Sequence, residues 1–238
     1  MSPVRPFLTA RWRHLAMLNY EVDPAVVRNL APQGTEIDTF DGRTYASVVG
    51  FMFQDTRVRG WAIPFHRNFE EVNLRIYVRR KAENGWRRGV VFVKEIVPRV
   101  AIAWVAQAVY GEKYVALPMS HRWSLEDPPA VRYAWRTRDR VMSIEVDPAG
   151  AYRSIPEGSE EEFITEHYWG YTVVQKGGAV EYQVEHPRWR VASARRAAWD
   201  GDAAGLYGPA FAEVLAGRPR SAFLAEGSEV VVHEGSRV

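Results

Sequence analysis

The sharpest pattern in the chain lies between residues 69 and 79, where Val72, Leu74, Ile76 and Val78 alternate with Glu71, Asn73, Arg75, Tyr77 and Arg79. A period of two puts the two sets on opposite faces of a β-strand, so 69–79 is predicted to be a strand with one face in a core. Glu71, Asn73 and Arg75 then project to the same side, roughly 6.5–7 Å from one to the next. They offer an acceptor, an amide and a fixed cation. Two readings of that face stay open: a surface turned to water, or the lining of a cavity inside a closed sheet.

The flanking segments predict more antiparallel sheet. Asn84-Gly85, Asp41-Gly42 and Gly177-Gly178 can adopt the positive φ of tight hairpin turns, and each lies between strand-like runs. Residues 89–96 form a strongly apolar strand, after which Val100, Trp104, Val105 and Ala108 recur at helical spacing up to a stop at Gly111. Residues 13–22 read as a strand, and Asp23-Pro24 ahead of Val26, Val27 and Leu30 reads as a capped short helix with proline in its first turn. Strands are also predicted over 131–137, 141–146, 180–184, 189–194 and 229–233, and short helices over 160–165 and 211–215. Pro128-Pro129 is the single plausible seam, no repeat or low-complexity block is present, and 1–238 is read as one mainly β (α+β) domain.

Composition narrows the function classes. With 238 residues, 47% apolar content and 9 tryptophans, the chain can bury a large core. Its 31 basic and 29 acidic residues nearly cancel, so charge does not direct it to nucleic acid or to an anionic membrane. The basic stretches Arg57/Arg59, Arg79–Lys81, Arg87-Arg88 and Arg136/Arg138/Arg140 are interspersed with carboxylates, which favours solvated sheet faces over a nucleic-acid surface. The absence of cysteine removes disulfides, thiolate metal sites and a cysteine nucleophile, and points to the cytoplasm. The first residues lack the pattern of a secretory signal, and the longest apolar run, 100–106, is too short to span a bilayer. No membrane partner is expected.

Motifs exclude several chemistries. There is no Walker loop, dinucleotide fingerprint, His-Glu-x-x-His or Gly-x-Ser-x-Gly. His14, His66, His121, His167, His186 and His233 fall at no metal-ligand spacing, so no metal and no cofactor are expected. Glu70 and Glu71 alternate across their strand and cannot flank one bond as a glycosidase pair would.

The run Glu71-Val72-Asn73-Leu74-Arg75-Ile76-Tyr77-Val78, followed by Gly89-Val90-Val91-Phe92, resembles the signature of the YqjF-like uncharacterised family. Trp12-Arg13-His14-Leu15, Val22-Asp23-Pro24 through Leu30-Ala31-Pro32, Phe163 to Tyr168, and His186-Pro187-Arg188-Trp189 agree with it. That family is similar in turn to acetoacetate decarboxylase. The resemblance implies an antiparallel β-barrel or cone with a few short peripheral helices, enclosing a small-molecule cavity into which the polar face of 69–79 points. It also implies that Glu71 falls at an active-site glutamate and Arg13 near an active-site arginine.

The decarboxylase condenses a lysine amine with a ketone, and its motif is Gly-x-Pro-Lys-Lys. The comparable stretch here is Tyr110-Gly111-Glu112-Lys113-Tyr114, which sets Tyr114 at the Schiff-base position and Lys113 one residue away. Glu112 beside Lys113 would favour the ammonium form and oppose its activation. A second carboxylate of that site falls near Val49, and Lys94 is the other conceivable amine. The expected protein is thus a small-molecule-binding barrel, with an enzyme acting on a small carbonyl or carboxylate compound as its catalytic form. Arg13, Glu71, Asn73, Arg75 and Tyr114 are expected around the cavity. Arg13 or Arg75 would hold an anionic group, Glu71 would accept or carry a proton, and Tyr114 would donate a hydrogen bond. Two alternatives remain: a Schiff-base decarboxylase or aldolase-like enzyme using Lys113, and a non-catalytic interaction module. Homo-oligomerisation is compatible with each.

Overall fold

In the computed structural model, residues 6–62, 66–98, 113–173 and 178–238 are described. The helix expected over 100–108 lies outside them, as does Gly177. The first strands are β1 (Pro6–Glu21), β2 (Glu36–Ile37), β3 (Tyr45–Val58), β4 (Trp61–Ala62), β5 (Phe69–Ala82), β6 (Gly85–Val97), β7 (Tyr114–Ala116) and β8 (Met119–Trp123). They are followed by β9 (Val131–Arg136), β10 (Val141–Pro148), β11 (Arg153–Ser154), β12 (Trp169–Val173), β13 (Ala179–Glu185), β14 (Arg190–Asp200), β15 (Ser221–His233) and β16 (Ser236–Arg237).

The pairings close on themselves. Around the circuit, β6 pairs with β5, β5 with β3, β3 with β1, and β1 with β15. Strand β15 then meets β13 at Val184↔Val232, β13 pairs with β12, and β12 returns to β6 at Trp169↔Gly89. Most of these pairings are antiparallel, but β12 and β7 each run parallel to β6. Strand β14 leaves the circuit from β15 and carries β10, β9 and β8 as a second layer outside it.

Two hydrophobic cores follow from this arrangement. Val72, Leu74, Ile76 and Val78 of β5 pack outward with Tyr133, Trp135 and Ile144 of the second layer and with Phe211 and Leu215 of the helix Pro209–Ala216. Leu15, Val49, Phe51, Phe53, Phe69 and Tyr77 pack inward with Phe163 and Ile164 of the helix Glu160–Thr165. Strand β5 is therefore buried on both faces. So is most of β3, whose residues from Tyr45 to Phe53 are all buried; without a wet face, nothing in their pattern alternates.

The short helices begin as the sequence predicts. Asp23 accepts from the Ala25 amide at 2.8 Å with Pro24 at the first helical position, and Ser159 accepts from the Glu162 amide at 3.2 Å. Among the described residues, no helix is long and apolar enough to cross a membrane. The basic stretches meet carboxylates: Arg80 and Arg87 reach Glu181, Arg88 reaches Asp38 and Arg79 reaches Glu36.

An irregularity in β1 decides which of its residues face inward. His14 has φ 54°, and the β1–β3 register shifts between Arg13 and Ala16. Opposite it, Gly227 pairs with Arg13 at φ 78°, and a Cβ there would lie 2.0 Å from the Trp12 carbonyl oxygen. Gly34 has φ 84° but nothing within 4 Å. Urea unfolding should show Gly34→Ala costing about 1–2 kcal/mol, the strain of left-handed backbone alone, and Gly227→Ala on the order of 3–5 kcal/mol. Equal losses would show that the bulge does not require glycine.

Candidate active-site cavity

The inner face of β5 opens onto a cavity of about 190 Å³. Phe69, Glu71, Asn73 and Arg75 line it from β5, and Val49, Phe51 and Phe53 line it from β3. Strand β6 adds Phe92 and Glu95, and β7, held parallel to β6 with Tyr114 in register with Glu95, adds Tyr114. Aromatic rings form much of the wall. Phe53 stacks on Phe69 at 4.6 Å, and Trp12 meets Phe51 at 5.2 Å and Trp189 at 6.3 Å.

Two of the polar groups bond each other inside this apolar wall. Glu71 is 3% exposed and Asn73 is 2% exposed, and the Asn73 amide donates to Glu71 Oε1 at 3.0 Å. The Tyr114 hydroxyl also hydrogen-bonds Glu71. Burial pushes the Glu71 carboxyl up to about 7, against the pull of the Asn73 and Tyr114 hydrogen bonds and the Arg75 charge. A carboxyl of that kind exchanges a proton near neutral pH.

Arg75 is anchored by two oxygen acceptors. It donates to the Ile164 carbonyl at 3.3 Å and to the Tyr77 hydroxyl at 3.4 Å, and its guanidinium carbon lies 5.6 Å from the Tyr77 ring centre. Tyr77 is tied in turn to Ser47 at 2.7 Å, and Ser47 to Asn19 at 2.7 Å. His167, also on the cavity wall, is bonded through Nε2 to Asp38 at 3.1 Å. Burial drives His167 down to about 4, so its imidazole is neutral at neutral pH. Asp38 ends at about 2 because the hydrogen bonds from His167 and Arg88 outweigh its own burial.

The sequence matches the DUF2071 family, described as an uncharacterized conserved protein, over residues 9–229. The chain belongs to that family. A DUF2071 chain of this kind is also 36% identical over 75 residues to the uncharacterized protein YqjF of Bacillus subtilis, a match spanning 31% of each protein. Among solved structures, the enduracididine biosynthesis enzyme MppR complexed with pyruvate superposes with a TM-score of 0.69 at 14% identity, covering 100% of this chain and 91% of that one. An acetoacetate decarboxylase-like enzyme from Sphingomonas wittichii RW1 gives 0.69 at 13%, covering 99% and 94%. Acetoacetate decarboxylase from Legionella pneumophila gives 0.67 at 11%, covering 99% and 88%. At these identities the likeness establishes the fold, a β-dominated barrel or cone of the acetoacetate decarboxylase-like type.

The expected site residues separate against this geometry. Glu71, Asn73, Arg75 and Tyr114 meet around the cavity, whereas Arg13 and Lys113 are not among its lining residues. Trp12 and Leu15 face inward on either side of the β1 irregularity, and Arg13 instead donates to the Gly227 carbonyl at 3.2 Å. Lys113 precedes the inward-facing Tyr114 by one position and is exposed. Lys94 pairs with the outward-facing Leu74 and is half-buried near Lys113; burial first, and then the Lys113 charge, lower its pKa. Of the four lysines in the chain, Lys81, Lys94 and Lys113 are described and none lines the cavity, while Lys176 lies outside the described residues. Glu70 turns outward and meets His121 at 2.6 Å.

The sequence reading did not single out Glu95, which is 2% exposed and lines the cavity beside Asn73, its register partner. Its one signal was a carboxylate, next to Lys94, in a largely apolar run. Among the described residues, no group of three His, Asp or Glu side chains is arranged to hold a metal.

The raised Glu71 pKa has a consequence for stability. Its carboxyl titrates near its ordinary 4.5 when unfolded and about 7 when folded, so between those values the folded chain holds a proton that the unfolded chain has released. That contribution is present below about pH 4.5 and is lost as pH rises through about 7. Comparing urea unfolding of wild type and Glu71→Gln at the two ends of this window, the wild type should lose on the order of 2–3 kcal/mol relative to the variant as pH rises. Parallel pH profiles would mean that Glu71 is not desolvated.

Proposed function

We propose that the cavity binds a small carbonyl compound carrying a carboxylate, and that Glu71 moves a proton to and from the carbon beside the carbonyl. The observation that carries this reading is a buried carboxyl brought to neutral pKa inside a cavity that also holds a fixed guanidinium. Arg75 takes the substrate carboxylate, as a planar cation does well in a partly dry site. Asn73 and Tyr114 keep Glu71 oriented, and the aromatic wall takes the apolar body of the substrate and excludes water.

The step needs no amine. Ionised Glu71 accepts the proton as the C–H bond breaks, the electron pair passes into the carbonyl to leave an enolate, and the proton returns to the same carbon or to another. Lys113 faces away from the cavity, which favours this route over an iminium formed on that lysine.

The test follows hydrogen–deuterium exchange beside the carbonyl of 2-oxo acids and 3-oxo acids in heavy water by proton NMR. Exchange should rise with pH through about 7 as Glu71 ionises, and Glu71→Gln should slow it by about 10²–10⁴-fold. Arg75→Ala should raise KM far more than it lowers kcat. Exchange that is indifferent to Glu71→Gln, or a borohydride-trapped adduct on a lysine, would overturn the reading.

A further inference from the structure

Ser221 of β15, Asn19 of β1, Ser47 of β3 and Arg75 of β5 form one row across four adjacent strands, because each is in register with the next. The row is polar from end to end. Two positions away on the same strands, Phe223, Met17 and Val49 form an apolar row that ends on Asn73. The wall of the circuit therefore does not require polar side chains here, yet Asn19 and Ser47 are both fully buried. A buried polar cluster adds little to stability over apolar residues of the same shape, so its presence calls for another cause.

The row is bonded as well as aligned. The Asn19 amide donates to Ser221 Oγ at 3.0 Å, and Ser47 Oγ donates to Asn19 Oδ1 at 2.7 Å. With the Ser47 proton committed to Asn19, the 2.7 Å contact between Ser47 and Tyr77 takes its proton from the Tyr77 hydroxyl. The Tyr77 oxygen then has only acceptor capacity left, and Arg75 Nε donates to it at 3.4 Å. Tyr77 is itself fully buried, with the rings of Phe163 at 5.3 Å and His167 at 4.9 Å against its own. Arg75 Nη2 meets the Ile164 carbonyl at 3.3 Å. Two nitrogens of a rigid planar group, held by two fixed acceptors, determine the plane of the guanidinium. Nη1 is engaged by neither of these bonds.

We propose that Tyr77, Ser47 and Asn19 are positioning residues: the chain from Ser221 to Tyr77 sets the direction in which Arg75 presents its guanidinium to the substrate carboxylate. A long arginine side chain loses rotamer freedom when it captures a ligand, and a head already held in place loses less. The chain thus acts on binding and leaves the proton transfer at Glu71 unchanged. Its effect on the carboxylate rests on the function proposed above, whereas the ordering of Arg75 does not.

The ordering is read without substrate. In proton–nitrogen NMR spectra of the arginine side chains, the Arg75 Nε–H signal, assigned by its loss in Arg75→Lys, should exchange slowly with water in wild type. Ser47→Ala and Tyr77→Phe should each speed that exchange about tenfold, and Ser47→Thr, which keeps the hydroxyl, should leave it slow. Met17→Ala, which opens a cavity in the neighbouring apolar row, should lower stability without moving the signal. With pyruvate as substrate, Ser47→Ala and Tyr77→Phe should raise KM about 3–10-fold and leave kcat within about twofold. Exchange of the Arg75 Nε–H that is unchanged in Ser47→Ala, or accelerated equally in Met17→Ala, would overturn the ordering. A fall in kcat at unchanged KM would overturn the positioning role. If the Nε–H signal behaves as expected but no oxo acid exchanges hydrogen, the ordering stands and the role in carboxylate binding falls with the reading it rests on.

Discussion

The structure depends on one strand being buried on both sides. Strand β5 gives its Val72, Leu74, Ile76 and Val78 face to the layer outside the circuit and its Glu71, Asn73 and Arg75 face to the interior. An exposed polar face would leave those groups to water. An enclosed one requires them to find partners among themselves, because an unpaired buried polar group costs about 1–3 kcal/mol and a buried charge more. The Asn73–Glu71 bond, the Tyr114 hydroxyl and the tethering of Arg75 to Tyr77 and Ile164 are what that requirement produces.

Enclosure also creates the chemistry. In water the Glu71 carboxyl would be an ordinary anion; in an aromatic-walled cavity its charged form is costly enough to bring the midpoint to about 7. Positions on neighbouring strands are then read across rather than along the chain. The row Val49–Asn73–Glu95 brings a carboxyl from β6 beside Asn73. Parallel pairing of β7 with β6 decides that Tyr114, and not Lys113, completes the cavity. The fold shared with acetoacetate decarboxylase-like proteins is thus combined here with a cavity whose described lining contains no lysine.

How much of this was legible in the sequence varied with the physics of each element. The face of β5 was legible because its two sides differ in polarity, although periodicity alone could not say whether the polar side met water or a cavity. Strand β3 was not, because a strand buried on both faces shows no alternation. Glu95 was hidden beside Lys94 in a mostly apolar run. Arg13 was expected at the cavity, but the left-handed turn at His14 changes the phase of the strand, and backbone geometry of that kind leaves no mark in hydrophobic pattern. Tyr114 entered through resemblance to a lysine motif, and its inward orientation follows only from the strand it pairs with.

The most direct measurement of the central claim is a crystal structure of the protein soaked with pyruvate, a small 2-oxo acid. The account predicts the molecule inside the circuit, with its carboxylate on Arg75 and its methyl carbon facing Glu71. Pyruvate bound elsewhere, or an interior filled by side chains with Glu71 open to bulk water, would contradict it.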